Sequence, residues 1–404
     1  MMGANDVAWD KVLAHYCQPF EISARELEHL GQRQPRLLAK HDFSAAVPAG
    51  LRQRGWNVLP ISRSNYAVGP FQLFQPFPEI AGPIRHLSIP AGLESINVAA
   101  ISSEAQALNV AAAAGIFEDF LDSPGLVPTV AGRMSTHTFT VHFSGVAPLT
   151  IDRAQMEIDA GFESARHVVL VEAKNHLTSD FNVRQLYFPY RRFSQALAKP
   201  VIPVFMVYSN GLFRVYRFRF ADPLRPESIE LADAACYTVG RAPLDVDSAL
   251  AVLSGPVYPT DLPFPQANSF ERLINLGELL LREPLSKAEI TQRYDFDPRQ
   301  AAYYAEAGRY LGLFDLRDGC YELSAEGGRI FAQTERSLAL VRAMGARPVF
   351  REVLVHTLRT GRVPPVAGFM AAANLGLSES TLRRRASTVS QWAQWVLQQT
   401  QWLR

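Results

Sequence analysis

The sequence lacks several features that would assign it to common classes of protein. Only three of its 404 residues are cysteines, Cys17, Cys236 and Cys320, and no two of them form a CxxC pair. This spacing predicts neither a disulfide framework nor a zinc site, and we expect thiols in a reducing cytoplasm. The first residues include acidic groups and no apolar segment, so we expect no signal peptide. No run approaches the roughly 18 apolar residues of a membrane helix.

An excess of one charge is also missing, since 40 Lys and Arg face 39 Asp and Glu. This balance does not exclude a nucleic-acid partner, because a basic face can be offset by acidic residues elsewhere. The nine histidines form no HExxH or HNH-like cluster, and the sequence contains no GxxxxGK[ST] loop. A zinc hydrolase and an ATP-driven motor are therefore excluded.

The length and the apolar content favour an ordinary globular protein of roughly two to four domains. We expect an N-terminal α/β region, a second α/β region, a Pro-rich linker, a helical region and a second helical region, at 1–98, 99–245, 246–267, 268–334 and 335–404. In the first region, Ser23 and Glu26 have the capping-box spacing, which predicts a helix ending near Gly31. WNVLPISRSNYAVGPFQLF predicts short strands, and IAGPIRHLSIPAGLES predicts a linker.

The middle region predicts a helix, three strands, a helix and two strands. Ser102 or Ser103 caps the first helix, SSEAQALNVAAAAGIFEDFLD, and the next three runs are THTFTVHF, AQMEIDAGFE and RHVVLVEAK. VRQLYFPYRRFSQALA predicts the second helix, where Pro189 is tolerated if it falls in the first turn. VIPVFMVYSN and FRVYRFRF are the last two strands.

The region from 268 onward predicts three helices and a β-hairpin. The helices are SFERLINLGELLLRE, LSKAEITQRYD with Ser286 as its cap, and DPRQAAYYAEAGRYLGLF with Pro298 near its start, and Asp318-Gly319 forms the tight turn of the hairpin. This order is that of a winged helix, which is built on the helix-turn-helix unit. A weaker second unit follows, with a Gly-containing turn before a helix that carries Arg383, Arg384 and Arg385.

The residues that suggest chemistry lie in MEIDAGFESARHVVLVEAKN. Asp159 ends one expected strand, and Glu172 and Lys174 end the next on a shared face, because strand residues two apart point to the same side. Pairing the two strands as a hairpin brings Asp159 beside Glu172. Mg²⁺ prefers such oxygen ligands, with the carbonyl of Ala173, which we expect to be exposed, as a further ligand. Lys174 then orients or deprotonates a water, or offsets charge, during phosphodiester hydrolysis.

Three further side chains are candidates for this site. Gln185 either touches the metal-bound water or the scissile phosphate, or is a helix-surface residue. Glu157 is either an additional metal ligand or a structural neighbour of Asp159. Glu118, on the preceding helix, is either an additional acidic group of the site or a solvated charge.

Basic residues near the motif are candidates for phosphate contacts, with solvated surface charges as the alternative. They are Arg184, Arg191, Arg192, Arg214, Arg217 and Arg219, interleaved with Tyr187, Tyr190 and Tyr216. Asn175 and His176, just after the motif, are also candidates to approach the substrate.

The third helix of the C-terminal region occupies the position of a recognition helix. Gln300 is a candidate to pair with adenine, and Arg299 with guanine or a phosphate. Tyr303 and Tyr304 either reach the DNA or belong to the core. Arg383 and Arg384 are further candidates for DNA contacts.

The motif segment resembles the PD-(D/E)XK nuclease superfamily, whose shared αβββαβ core carries its motif on the second and third strands. The likeness covers about 99–220 and maps the motif onto Asp159, Glu172 and Lys174, with Ile158 where the motif has proline. EIDAGFE, VEAKN, FNVRQLYFPYRRF and VFMVYSNGLFRVYRF are similar to a group of type II restriction endonucleases, as are RQPRLLAKHD and LPISRSNYAVG. The resemblance implies site-specific cleavage of double-stranded DNA with Mg²⁺, or Mn²⁺ as a substitute, in defence against foreign DNA.

We therefore expect an α/β (α+β) fold, with this core around a mixed sheet and a mainly helical winged-helix region. The expected function is that of a type II restriction endonuclease. The alternatives are a modification-dependent nuclease of methylated DNA and a DNA-binding regulator with an inactive core, and the winged helix is alternatively a protein-interaction module. Expected partners are double-stranded DNA, a second copy in a homodimer, and a cognate DNA methyltransferase that acts on the same site, with no membrane partner.

Overall fold

We describe the fold from a computed structural model. It covers residues 3–80, 82–98, 101–240, 243–258, 260–293, 298–333, 335–373, 378–400 and 402–403, and of 292, 293, 298, 299, 402 and 403 only the backbone is described. The chain divides into two compact units. The first comprises Met1–Ile80, Ser102–Tyr208 and Arg214–Ala235, and the second comprises Ala81–Ile101, Ser209–Phe213 and Cys236–Arg404.

Short helices and strands alternate at the start of the first unit. They are α1 (Ala4–Leu13), β1 (Phe20–Ser23), α2 (Ala24–Gly31), α3 (Pro35–Ala39), α4 (Ala49–Gln53), β2 (Asn57–Pro60), β3 (Asn65–Gly69) and β4 (Phe74–Pro76). The first three strands form an antiparallel sheet in the order β1-β3-β2, so the prediction of short strands is confirmed. The Ser23 side chain accepts the Glu26 amide and α2 ends at Gly31, as the capping pattern predicts.

A strand interrupts the stretch that we expected to be a plain linker. This strand, β5 (Ile84–Leu87), belongs to the second unit, where Arg85–Leu87 pair in parallel with Tyr237–Val239. The expectation of a linker is therefore wrong for these residues. The strand is short and lies between Pro83 and Pro90, so the sequence around it is more typical of a linker than of a strand.

The elements that follow include the main sheet of the first unit. They are α5 (Glu104–Ala113), α6 (Ile116–Leu121), β6 (Val127–Ser135), β7 (Phe139–Val141), β8 (Leu149–Ile151), β9 (Gln155–Glu163), β10 (Val168–Lys174), β11 (Asp180–Asn182), α7 (Arg184–Ala196), β12 (Val201–Ser209), β13 (Leu212–Phe220) and β14 (Ile229–Val239). The strand order is β14-β13-β12-β10-β9-β6. Because β6, β9 and β10 are antiparallel neighbours and β12 is parallel to β10, the sheet is mixed, as predicted.

The first strand of this sheet is not the one that the sequence predicted. THTFTVHF contributes only the three residues of β7, which pair with β8 in a separate two-stranded sheet. The strand beside β9 is instead β6, whose run of mostly exposed residues carries little apolar pattern. Asp159 does not end its strand either, because β9 continues to Glu163.

Two expectations about helices in this region are also wrong. The expected single helix is divided into α5 and α6 at Gly115, which has a left-handed φ of 73°, although Ser103 caps α5 as predicted. Pro189 lies at the sixth position of α7, beyond the first turn. It removes the amide that would donate to the Gln185 carbonyl, while the ring packs as a buried side chain.

The second unit is mainly helical after Ala235. Its elements are α8 (Val246–Leu253), α9 (Phe270–Leu280), β15 (Leu285–Ser286), α10 (Lys287–Arg293), α11 (Pro298–Tyr310), β16 (Phe314–Arg317), β17 (Cys320–Leu323), α12 (Ala325–Phe331), α13 (Ser337–Gly345), α14 (Pro348–Thr360), α15 (Val366–Ala372), α16 (Glu379–Thr400) and β18 (Trp402–Leu403). Its apolar core includes Phe270, Phe350 and Trp392. Among the described residues, we find no helix long and apolar enough to cross a membrane.

The three predicted helices and the hairpin are present as α9, α10, α11 and β16–β17. Asp318 and Gly319 both have positive φ, 50° and 79°, as the predicted tight turn requires, and β15 adds a third strand beside β17. The expected linker 246–267 begins with α8, so its first eight residues are helical. The Gly-containing turn of the second helical unit falls at 374–377, outside the described residues.

We predict that Gly327 of α12 is required for the stability of the second unit. A Cβ atom there would lie 2.0 Å from the Leu313 carbonyl oxygen, whereas one on the adjacent Gly328 meets nothing within 4 Å. Gly327→Ala should lower the free energy of unfolding by about 1–3 kcal/mol or more. Gly328→Ala should leave it unchanged or raise it by up to about 1 kcal/mol, because alanine favours helix. Chemical denaturation of both variants tests this, and equal stabilities would contradict it.

Candidate active site

The motif residues meet where β9 and β10 pair. The antiparallel register runs from Val168 opposite Glu163 to Val171 opposite Ala160, as a hairpin pairing predicts. Just beyond it, Asp159 Oδ2 accepts the Ala173 amide at 2.8 Å. This bond fixes the Asp159 carboxylate next to the end of β10.

Glu172 and Lys174 share one face of β10, as the two-residue spacing predicts. The Lys174 ammonium donates to Glu172 Oε1 at 2.7 Å and to the Ala173 carbonyl oxygen at 3.0 Å. The rest of VVLVEAK is apolar and buried, since β10 lies between β9 and β12. The strand therefore runs through the core and ends with the Glu172–Lys174 ion pair beside a cleft. Ala173 is fully buried and its carbonyl accepts the Lys174 ammonium, so our expectation that this carbonyl is exposed is wrong.

Gln185 reaches the same carboxylate from α7. Its side-chain amide donates to Glu172 Oε1, so the residue is not an ordinary member of the helix surface. The Gln185 Oε1 atom is buried and has no hydrogen-bond partner among the described residues. An acceptor oxygen beside two carboxylates is available to a water, a cation or a substrate group.

Burial and neighbouring charges shift the pKa values of Glu172 and Lys174. Burial raises the pKa of Glu172 to about 7; the Lys174 ammonium opposes this shift and the Asp159 charge adds to it. Burial alone would lower the pKa of Lys174, but the negative charges of Glu172, Glu104 and Asp159 and the hydrogen bond to Glu172 raise it. Lys174 is therefore a stable cation here, suited to donate hydrogen bonds.

Sequence reasoning missed an acidic residue on the helical side of the site. Glu104, the first residue of α5, lies 3.9 Å from the Lys174 ammonium through Oε1. Burial raises the pKa of Glu104, and the opposing charge of Lys174 is the next largest influence. Glu118, the expected acidic residue, lies on α6 and is not among the cleft residues. Only the cap at Ser103 marks Glu104 in the sequence, because it fixes where α5 begins.

A solvent-open cleft lies over the motif, with an empty volume of about 470 Å³. Its lining comes from four parts of the first unit: Lys40, Asp42, Phe43, Glu104, Lys174, His176, Thr178, Asp180, Phe181, Gln185 and Phe205. His176, which we expected near the substrate, lines this cleft. Asn175 donates instead to the Ser102 carbonyl at 3.2 Å. The N-terminal residues Lys40 and Asp42 were not expected here.

Three family models match the chain, each described as a domain of unknown function. They are DUF6996 over residues 6–68, DUF6997 over 69–238 and DUF7226 over 272–401. The second covers the motif strands and α7, and the first covers Lys40 and Asp42. No curated protein and no solved structure matches the chain.

The candidate ligands for a metal ion are oxygen atoms of the motif residues and of Gln185. Among the described residues, no group of three or more His, Cys, Asp and Glu side chains is arranged to hold one. Asp159, Glu172 and Gln185 nevertheless supply oxygen atoms around the end of β10. This set fits Mg²⁺, which commonly takes one or two carboxylates and keeps several waters. Glu157 is exposed and pairs with Arg133 at 3.3 Å, with no contact to this set in the described chain.

Several expected phosphate-binding residues are instead parts of the fold. Arg191 is 5% exposed, donates to the Pro223 carbonyl and packs over the ring of Phe139. Arg214, Tyr187 and Tyr216 are buried as well. A guanidinium that is buried in the fold is not placed to contact DNA. The expectation of a phosphate contact is therefore wrong for Arg191 and Arg214.

The other arginines near the motif are held by protein groups to different degrees. Arg192 donates to the Ser135 carbonyl at 2.6 Å, and Arg184 is half-buried over the ring of Phe188. Arg219 is exposed and pairs with Glu230 at 2.7 Å. Arg217 lies 4.0 Å from Asp233. Phosphate contacts by these residues stay a prediction.

The candidates in the C-terminal region differ in exposure. Gln300 is exposed, and the Arg299 side chain lies outside the described residues. Tyr304 is core, with its hydroxyl oxygen accepting the Ser269 amide at 3.3 Å, while Tyr303 is 39% exposed. Arg383 and Arg384 are exposed, and Arg383 pairs with Glu379 at 2.6 Å.

We predict that Arg191 contributes to stability and not to binding. Arg191→Ala should lower the free energy of unfolding by about 2–4 kcal/mol, because it removes buried packing and one of the two donors to the Pro223 carbonyl, the other being the Tyr187 hydroxyl. Arg219→Ala is the matched control and should change it by about 0.5 kcal/mol or less, since its ion pair is exposed. Urea unfolding of both variants measures the difference. A stable Arg191→Ala protein would contradict the structural role.

Proposed function

We propose that this chain is a Mg²⁺-dependent endonuclease of double-stranded DNA with a PD-(D/E)XK core, acting as a type II restriction enzyme. The observation that carries the proposal is that Lys174 and Gln185, which line the cleft, both donate to the Glu172 carboxylate, while the Asp159 carboxylate accepts the amide of the next residue, Ala173. Two carboxylates, a cation and an amide are the groups that phosphodiester hydrolysis uses.

The order of elements supports the same proposal. Helix α5 precedes the antiparallel strands β6, β9 and β10, and α7 then connects β10 to its parallel neighbour β12. With α6, the β7–β8 hairpin and β11 as additions, this order fits the αβββαβ core that the resemblance implies, in which β9 and β10 would be the second and third strands.

The motif side chains have separable roles in the proposed reaction. Asp159 and Glu172 would hold Mg²⁺, and Gln185 Oε1, which is buried without a hydrogen-bond partner among the described residues, would be a further ligand. When bound, the cation lowers the pKa of a water and neutralises charge on the phosphate. Lys174 holds Glu172 in position and offers a charged donor for the negative charge that develops during hydrolysis. Asp159 also anchors the end of β10 through the Ala173 amide.

The C-terminal elements favour a role in reading DNA. The order α9, β15, α10, α11, β16 and β17 is that of a winged helix, with α11 as its recognition helix and Gln300 exposed on it. We therefore propose this region as the sequence reader. Two copies of the chain in a symmetric dimer would supply one active site for each strand of a palindromic target.

We predict that the protein cuts duplex DNA with Mg²⁺ or Mn²⁺ and leaves it intact in chelator. Incubation with unmethylated and methylated phage DNA, followed by sequencing of the ends, measures activity and specificity together. Cleavage of methylated DNA alone would favour the modification-dependent alternative. Specific binding without cleavage would favour the regulator, and cleavage that persists in chelator would overturn the proposed mechanism.

We predict that Asp159→Asn and Lys174→Met each lower the cleavage rate at least about 100-fold. Asparagine keeps an oxygen that can accept the Ala173 amide, so the loss would come from the missing charge and not from an unanchored strand. Glu157→Gln is the control, because Glu157 lies on the same strand but pairs with Arg133. It should cut within about threefold of wild type, as expected of a surface pair. Wild-type rates in both motif variants would mean that the active site lies elsewhere.

A further inference from the structure

The N-terminal segment 40–44 is fastened to the strand that leads into α7. The Asn182 amide donates to the Asp42 carbonyl at 2.8 Å, and its side chain donates to the His41 carbonyl at 2.9 Å. The Ser44 amide donates to Asp180 Oδ1 at 2.8 Å. His41, Phe43 and Asn182 are buried. These contacts fix the segment against the cleft, with Lys40 and Asp42 in its lining.

The ammonium of Lys174, the cation of the motif, is already hydrogen-bonded to protein groups. Lys174 is 15% exposed through its side chain and donates to Glu172 and to the Ala173 carbonyl, with Glu104 nearby. An ammonium has three hydrogens, and two of them are used. The carboxylates of Glu172 and Glu104 offset the charge of Lys174, so this cation alone does not make the cleft positive, although one hydrogen remains for charge that develops during hydrolysis.

Lys40 is held much more loosely than Lys174. Its side chain is 66% exposed, and its ammonium lies 3.3 Å from Asp42 Oδ2. Exposed pairs of this kind stabilise a protein by only about 0–1 kcal/mol, so a phosphate can displace the carboxylate at little cost. The other carboxylate oxygen of Asp42 is buried without a hydrogen-bond partner in the described chain. Asp42 itself is held to the cleft wall by its backbone carbonyl, which accepts the Asn182 amide.

The cleft also needs positive charge at its mouth. Three carboxylates, those of Asp42, Glu104 and Asp180, line this cleft. A phosphodiester entering this acidic region is repelled unless cations meet it. Lys40 lines the cleft and faces solvent, where DNA arrives.

Resting on the proposed nuclease function, we propose that Lys40 is a phosphate-binding residue of this active site, supplied by the N-terminal region and not by the motif strands. Its ammonium leaves Asp42 and pairs with a backbone phosphate of the DNA in the cleft. Asn182 is a positioning residue, because it fastens the segment that carries Lys40. The region 6–68 is thereby part of the substrate site.

The test measures DNA binding apart from cleavage. Asp159→Asn in the full chain is the uncleaving parent, and the probe is a fluorescent duplex with the sequence that the wild-type protein cuts, titrated at several NaCl concentrations with Mg²⁺ present. Adding Lys40→Ala should weaken binding about threefold to tenfold and reduce the slope of log K against log salt by about one unit. Lys40→Arg should keep the parent slope. Arg36→Ala, an exposed charge on α3 that does not line the cleft, should behave like the parent.

Each outcome has one meaning. An unchanged slope in Lys40→Ala, or an equal loss in Arg36→Ala, overturns the assignment of Lys40 and leaves the nuclease proposal standing. A wild-type protein that neither binds nor cuts duplex DNA overturns the proposed function, and the assignment with it. Circular dichroism of the variants checks that a loss of binding does not come from unfolding.

Discussion

The buried carboxylate of Glu172 is the constraint around which the first unit is built. A charge in that position is costly unless other groups compensate it, and its pKa of about 7 reflects this cost. The compensation comes from the Lys174 ammonium and the Gln185 amide, and Asp159 is tied to the same strand end. These partners meet only because three features of the fold fit together. They are the hairpin register, the start of α7 and the position of β10 in the core.

Much of this arrangement could be predicted from the sequence, because it depends on local periodicity. The apolar run before Glu172 identifies a buried strand, the two-residue spacing brings Lys174 to the same face, and the short connection to Asp159 implies a hairpin. The cap residues Ser23 and Ser103 likewise mark helix starts. Such signals are contained within a few residues, so no tertiary information is needed to read them.

The errors arose where distant contacts decide the structure. Strand β6 is mostly exposed and is defined by its pairing with β9, so its own residues carry little pattern. Arg191 was expected to contact phosphate. Its burial could not be predicted, because it depends on Phe139 and Pro223, which are remote in sequence. Lys40 and Asp42 reach the cleft because their segment is hydrogen-bonded to Asp180 and Asn182, more than a hundred residues away along the chain. No window of sequence contains those relationships.

The bonds of Asn182 also bear on how the first unit opens. Asn182 holds the His41 and Asp42 carbonyls, and its side-chain oxygen accepts the Arg184 amide at the start of α7. The side chain of Asn182 therefore links the His41 carbonyl to the first turn of α7, while its backbone amide holds the Asp42 carbonyl. Backbone amides in both stretches should exchange with deuterium as one cooperative group, at a rate set by a shared opening and not by their separate exposures.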